Sequence, residues 1–183
     1  MKNLLQPDLV LGKPVTDLSP EILSQHQIKG LILDVDETLV PKKSRQASDD
    51  LIAWLQEIRP IAKIWLVSNN FNKTRIERIA NSLNLPYYLA AKKPSRKSLR
   101  QAATAMELPL NEIAMVGDRV FTDILAGNRL QLFTILVEPM VDPAFADHDY
   151  PIHRLEVQIS QLLGVTFQDH HQTASPKTDQ PLS

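Results

Sequence analysis

Along the chain, short aliphatic runs alternate with longer stretches whose apolar positions recur every three to four residues. The runs Lys29–Asp34, Lys63–Val67, Tyr87–Ala90, Glu112–Gly117 and Gln131–Val137 are apolar at successive positions, the pattern of strands covered on both faces. The stretches between them predict helices. Leu51, Leu55 and Ile58 share one helical face behind an N-cap at Ser48; Ile76, Ile79, Ala80 and Leu83 define the next, and Leu99, Ala102, Ala103 and Met106 a third. Ser19-Pro20-Glu21 marks one more helix start, with proline at the first helical position. Strands alternating with helices predict an α/β fold of three layers around a mainly parallel sheet with right-handed crossovers. In such folds ligands bind beyond the carboxyl ends of the strands, so chemistry is sought there.

The two ends of the chain read differently. Leu4, Leu5, Leu9, Val10 and Leu11 make the N-terminus apolar, but Gln6, Pro7 and Asp8 interrupt it short of a signal-peptide core, and no run approaches the roughly 20 apolar residues that span a bilayer. These features point to a cytoplasmic protein, peripheral to a membrane at most. The last residues, rich in Gln, Asp, Ser and Thr, cannot bury enough surface to offset the entropy of ordering. The expected division is an arm with a short helix over 1–27, a catalytic domain over 28–164 and a disordered polar tail over 165–183. His170 and His171 in that tail read as solvated side chains.

Composition narrows the chemistry. With no cysteine, disulfides, thiolate metal sites and cysteine nucleophiles are excluded, and any metal must be held by oxygen or imidazole. A net charge of -1 removes the broad positive field of a nonspecific nucleic-acid binder. Only 5 glycines accompany 13 prolines, which tells against a glycine-rich nucleotide loop.

The strand ends carry the polar groups. The first ends in Asp34-Val35-Asp36-Glu37-Thr38, two carboxylates two residues apart that project to one side if the backbone stays extended. The second ends in Ser68-Asn69-Asn70, neutral donors suited to an anion. The fourth ends in Gly117-Asp118 with Thr122-Asp123 following, carboxylates that could hold a hard cation such as Mg²⁺. Between the third and fourth strands lie Lys92, Lys93, Arg96, Lys97 and Arg100 with no acid among them, an anion-facing stretch in a near-neutral chain. Carboxylates, a divalent cation, neutral donors and a lysine could together grip one phosphate. A carboxylate can then attack phosphorus while a second acid serves the leaving group.

The order DVDET, VSNN, KKP, GDRVFTD resembles the four motifs of the haloacid dehalogenase (HAD) superfamily of phosphatases, over about residues 28–137. The resemblance implies a Rossmann-like catalytic core and an aspartyl-phosphate intermediate. Asp34 would be the nucleophile and a magnesium ligand; Asp36 the general acid and base, with its backbone carbonyl on the metal. Thr38, Ser68, Asn69 and Lys93 would serve the phosphate and the geometry around it, Lys93 being favoured over Lys92. Asp118 and Asp123 would complete the Mg²⁺ site. The intervals Thr38–Ser68 and Ser68–Lys93 are too short for the cap domain that small-substrate members insert. An open site admits a large substrate whose phosphate protrudes from a surface. The approach PDLVLGKPVTDLSPEILSQHQIKGLILDVDETLVP is similar to the capless YqeG-like group, related to mitochondrial-type phosphatidylglycerophosphate phosphatases. That resemblance implies removal of the terminal phosphate of phosphatidylglycerophosphate at a membrane surface, with no nucleic-acid partner. A phosphatase for soluble or protein-bound phosphate, and a binding domain that keeps only the fold, are the alternatives. Lys42, Lys43, Arg45 and the Lys92–Arg100 stretch could meet an anionic lipid surface; the apolar arm could join them or pack on the core.

Overall fold

The computed structural model describes residues 3–42, 44, 46–140, 158, 161 and 164. The polar tail, with His170 and His171, and the cations Lys43 and Arg45 lie outside the described residues. Six strands form one sheet: β1 (Leu9–Val10), β2 (Gly30–Leu33), β3 (Lys63–Val67), β4 (Tyr87–Tyr88), β5 (Ile113–Gly117) and β6 (Phe133–Leu136). Their order is β1-β6-β5-β2-β3-β4, and every pairing is parallel. Between the strands and before β2, the described α-helices are α1 (Pro20–Gln25), α2 (Asp49–Ile58), α3 (Lys73–Ser82), α4 (Lys97–Met106) and α5 (Leu125–Leu130).

Period-two alternation in the strands sorts the core into two layers. Leu31 and Leu33 of β2 and Ala114 and Val116 of β5 pack with Leu51, Leu55, Ile76 and Ile79 of α2 and α3. Their neighbours Ile32, Ile113 and Met115 point the other way, onto Leu99, Ala103 and Met106 of α4 and Ala126 and Leu130 of α5. Both faces of the central strands are therefore covered, which is why their sequences are continuously aliphatic. Helix α2 begins as expected, Ser48 Oγ accepting from Leu51 N at 3.2 Å. Among the described residues only one helix lies between β2 and β3, and one between β3 and β4, so no cap domain is seen at either place. No helix among the described residues is long and apolar enough to cross a membrane.

The edge strand β1 is not foreseen by the hydrophobic pattern. Two residues are too few to show a period, yet Leu9 and Val10 pair with Ile135 and Leu136. Asp8 anchors the segment, its Oδ2 accepting from Thr134 N and Oγ1 at 2.9 Å each, and Asn128 Nδ2 donates to Leu4 O and Gln6 O. Of the two fates open to the apolar arm, Leu5, Leu9 and Leu11 take packing on the core, while Leu4 remains 47% exposed.

Candidate active site

Asp34 stands one residue past β2, and its N–H still donates to Val116 O, extending the ladder to β5. The chain then folds back: Leu39 and Val40 both donate to Val35 O, and Glu37 takes a left-handed φ of 66°. Val35, Leu39 and Val40 are fully buried. Apolar residues at 35, 39 and 40 thus pin the loop, and the polar residues between them are held at the sheet's carboxyl end. Thr38 reaches across to β5, donating from Oγ1 to Asp118 Oδ1 at 2.8 Å and accepting from Asp118 N at 3.2 Å. Asp123 comes from a wide helical turn, Val120–Ile124, that follows β5. Its close approach depends on Gly117, where an added Cβ would meet Asp123 Oδ2 at 2.3 Å.

Lys93 ties these carboxylates together. Its Nζ lies 2.6 Å from Asp34 Oδ1 and 2.7 Å from Asp123 Oδ1, and it donates to Val67 O at 2.9 Å. Asn69 fixes the lysine's backbone, accepting from Lys93 N at 2.7 Å and donating to Lys93 O at 3.2 Å. The flanking residues Ala90 and Lys92 sit in left-handed backbone with φ of 50° and 54°, conformations that cost energy in non-glycine residues and collect at functional loops. Burial alone works against the Lys93 charge, but the carboxylates of Asp123 and Asp34 outweigh it and hold its pKa above the ordinary lysine value.

Asp34, Asp118 and Asp123 are all buried and can each turn an oxygen to within 4.8 Å of the others. Their repulsion is not balanced by one ammonium. Burial, opposed by Lys93 and reinforced by Asp123, pushes Asp34 up to about 7; burial, Asp123 and Asp34 likewise raise Asp118 well above the usual carboxylate range. Asp123 Oδ1 is buried without an aligned hydrogen bond, its close cation being the Lys93 ammonium. An all-oxygen donor set whose three carboxylates outnumber its one ammonium fits a hard divalent ion such as Mg²⁺.

Asp36 is not part of that cluster. Its Oδ2 accepts from Asn70 Nδ2 at 3.0 Å and Ser68 Oγ at 3.3 Å, and its Oδ1 pairs with Arg75 Nη1 at 2.5 Å. Arg75 is buried in the first turn of α3 and also donates to Ser44 O and Pro41 O. Sequence reasoning passed over Arg75. Its signal was its place one turn before Ile79, on the apolar stripe of α3, where a cation needs a buried partner. The structure therefore brings Asp34, Thr38, Lys93, Asp118 and Asp123 into one buried cluster, with Asp36 and Ser68 at its side and Asn69 behind Lys93.

This arrangement agrees with what the chain is similar to. It is 36% identical over 141 residues to "Probable phosphatase YqeG" of Bacillus subtilis (strain 168), covering 76% of this chain and 81% of that protein. The chain belongs to the YqeG-like group of the HAD superfamily. It is a phosphatase. The HAD-hydrolase-like family profile matches residues 90–146, which include Lys93, Asp118 and Asp123. A more distant relative, 28% identical over 129 residues, is "Phosphatidylglycerophosphate phosphatase 1, chloroplastic/mitochondrial" of Arabidopsis thaliana; the match takes in 66% of this chain and 37% of that one. Among solved structures, an uncharacterized protein from Listeria monocytogenes serotype 4b superposes with a TM-score of 0.52 at 16% identity, over 75% of this chain and all of that one.

Proposed function

We propose that this phosphatase hydrolyses phosphate monoesters in two displacements, with Asp34 as nucleophile and Asp36 as general acid and base, and that its substrate is phosphatidylglycerophosphate. The observation that carries the mechanism is the separation of the two aspartates: Asp34 is held by Lys93 within the three-carboxylate cluster, while Asp36 is held outside it by Arg75, Asn70 and Ser68. Asp34, Asp118 and Asp123 would hold Mg²⁺, with the Asp36 backbone carbonyl as a further ligand; the ion, when bound, supplies the positive charge that keeps these carboxylates ionised and screens an incoming phosphate dianion.

In the first displacement the Asp34 carboxylate attacks phosphorus, the bond from phosphorus to the ester oxygen breaks, and Asp36 passes its proton to the departing alkoxide. Water then attacks the aspartyl-phosphate while giving a proton to Asp36; the bond from phosphorus to the Asp34 oxygen breaks, and phosphate leaves. The Lys93 ammonium and Ser68 hydroxyl lie beside Asp34 and Asp36 respectively, placed to offset the charge carried by the phosphoryl oxygens. Thr38 acts through Asp118, and Asn69 through the Lys93 backbone.

Two features support a lipid phosphate over a free sugar phosphate. Among the described residues nothing from the β2–β3 or β3–β4 connections forms a cap over the site, which leaves room for a headgroup presented by a surface. The Arabidopsis relative carries phosphatidylglycerophosphate in its name. A side-by-side turnover assay with phosphatidylglycerophosphate, a nucleotide, a sugar phosphate and a phosphopeptide tests the substrate. Preference for any of the last three overturns it, and undiminished turnover by Asp34→Asn overturns the mechanism.

A further inference from the structure

We infer that the mouth of the active site is itself a docking surface for an anionic lipid bilayer, with Phe71 as its apolar anchor and Lys42, Lys92, Arg96 and Lys97 as its cationic rim. The inference deepens the phospholipid reading and rests on it for choosing a bilayer over another polyanion.

Phe71 is the most solvent-exposed of the large hydrophobic residues described, at 72%. It follows Asn70, whose side chain holds Asp36 and whose carbonyl accepts from Ala90 N at 3.1 Å. The loop that carries Phe71 is thus stitched to the loop that carries Lys92 and Lys93. An aromatic ring in open water beside a polar catalytic site gains nothing from the fold, whereas at a bilayer interface it would be buried.

The cations stand on loops at the same end of the sheet. Lys42 follows β2, Lys92 follows β4, and Arg96 and Lys97 open α4; all four are exposed. None is ion-paired among the described residues, whereas the nearby Lys73 is already paired with Glu77 at 3.5 Å. Arg96 and Lys97 also line a groove of about 960 Å³ whose other charged residues are Arg100 and Arg129, so positive charge continues outward from the mouth with no acid in that groove. Cations without an ion pair among the described residues, at the same end of the sheet as an exposed aromatic ring, match a surface that is apolar within and negative at its face, and each Lys or Arg near such a surface strengthens binding about fivefold.

Co-sedimentation with phosphatidylcholine vesicles, with and without phosphatidylglycerol, tests this without requiring turnover. The wild-type protein is expected to sediment with the anionic vesicles only and to be released by raised salt. Phe71→Ser should weaken binding about fivefold or more, and the double variant Arg96→Glu/Lys97→Glu about 25-fold or more. Both should melt as the wild type does and turn over a saturating soluble aryl phosphate at its rate, since neither change touches the catalytic groups. Equal binding to neutral vesicles, binding to RNA in preference to vesicles, or variants that sediment like the wild type would each overturn the proposal. Vesicle binding by a protein that fails to hydrolyse phosphatidylglycerophosphate would support docking while removing the substrate assignment. Hydrolysis of the detergent-dispersed lipid without vesicle binding would remove docking and keep the substrate.

Discussion

Removing the divalent cation should make this protein less stable as the pH rises, and Asp34 sets the size of the effect. Its carboxyl is buried beside two other carboxylates and pushed up to about 7 from an ordinary 3.8. The folded state therefore binds this proton more tightly than the unfolded chain does. Stability from this group is complete below the unfolded value, near pH 4, declines as pH rises towards 7, and levels off above that. The gap corresponds to about 4 kcal/mol in all, at about 1.4 kcal/mol per pH unit, and about 2 kcal/mol of it falls between about pH 5.5 and pH 8. For a chain of this size that is about 4–8 °C in melting temperature.

Thermal melts in chelator at both pH values measure it. The wild type should lose that much on going from the lower to the higher pH, and Asp34→Asn, which has no proton to bind there, should lose correspondingly less. Mg²⁺ at about a hundred times its dissociation constant should restore about 2.7 kcal/mol at the higher pH. If the chelated wild type melts at the same temperature at both pH values, or Asp34→Asn shows the same slope, the electrostatic account of the cluster is wrong.

Three further outcomes follow from single contacts. Lys93→Met strands Asp34 and Asp123 without their ammonium; chemical denaturation of the metal-free protein at pH above 7 should show a loss of about 3–5 kcal/mol, shrinking on acidification, together with loss of turnover. Gly117→Ala forces Asp123 out of its present place, because the new methyl would lie 2.3–2.6 Å from that side chain; calorimetric titration should find Mg²⁺ affinity reduced about 10–100-fold. Arg75→Met releases Asp36 Oδ1 and the carbonyls of Pro41 and Ser44; initial rates with an alkyl phosphate should fall at least about 100-fold while metal affinity stays at the wild-type value.

Most of the fold was legible because a parallel sheet covered on both faces imposes continuous aliphatic strands, and Leu31 to Leu33 or Ile113 to Val116 can hardly be anything else. The candidate site was legible for a related reason: once the strands are located, topology sends Asp34, Ser68 and Asp118 to one edge whatever their side chains do. What stayed hidden depends on contacts distant in sequence. Thr38 and Asp118 are 80 residues apart, and only the β2–β5 adjacency makes them partners. Arg75 was hidden by its type, since a cation on a helix normally reads as solvated, and here the carboxylate of Asp36 and two loop carbonyls replace water. The edge strand β1 was hidden by its length, its place being settled by Asp8 and Asn128 more than by Leu9 and Val10.

Charge balance connects the buried cluster to the exposed rim. Three ionised carboxylates and one ammonium leave two negative charges at the sheet edge, and a divalent ion cancels them. A phosphate dianion would then enter a site that is close to neutral as a whole, on a protein whose net charge is also only -1. Close contacts with Lys93 and Ser68 can hold the dianion once it arrives but exert little pull from a distance, because the surrounding carboxylates screen the buried ammonium. Long-range attraction has to come from charges that no carboxylate neutralises, and among the described residues Lys42, Lys92, Arg96 and Lys97 are such charges at the carboxyl end of the sheet. On the proposed mechanism the division of labour follows from electrostatics: a cation that orients a phosphoryl group would be buried and paired, as Lys93 is, and cations that gather an anionic substrate or surface would be exposed, as Lys42, Lys92, Arg96 and Lys97 are.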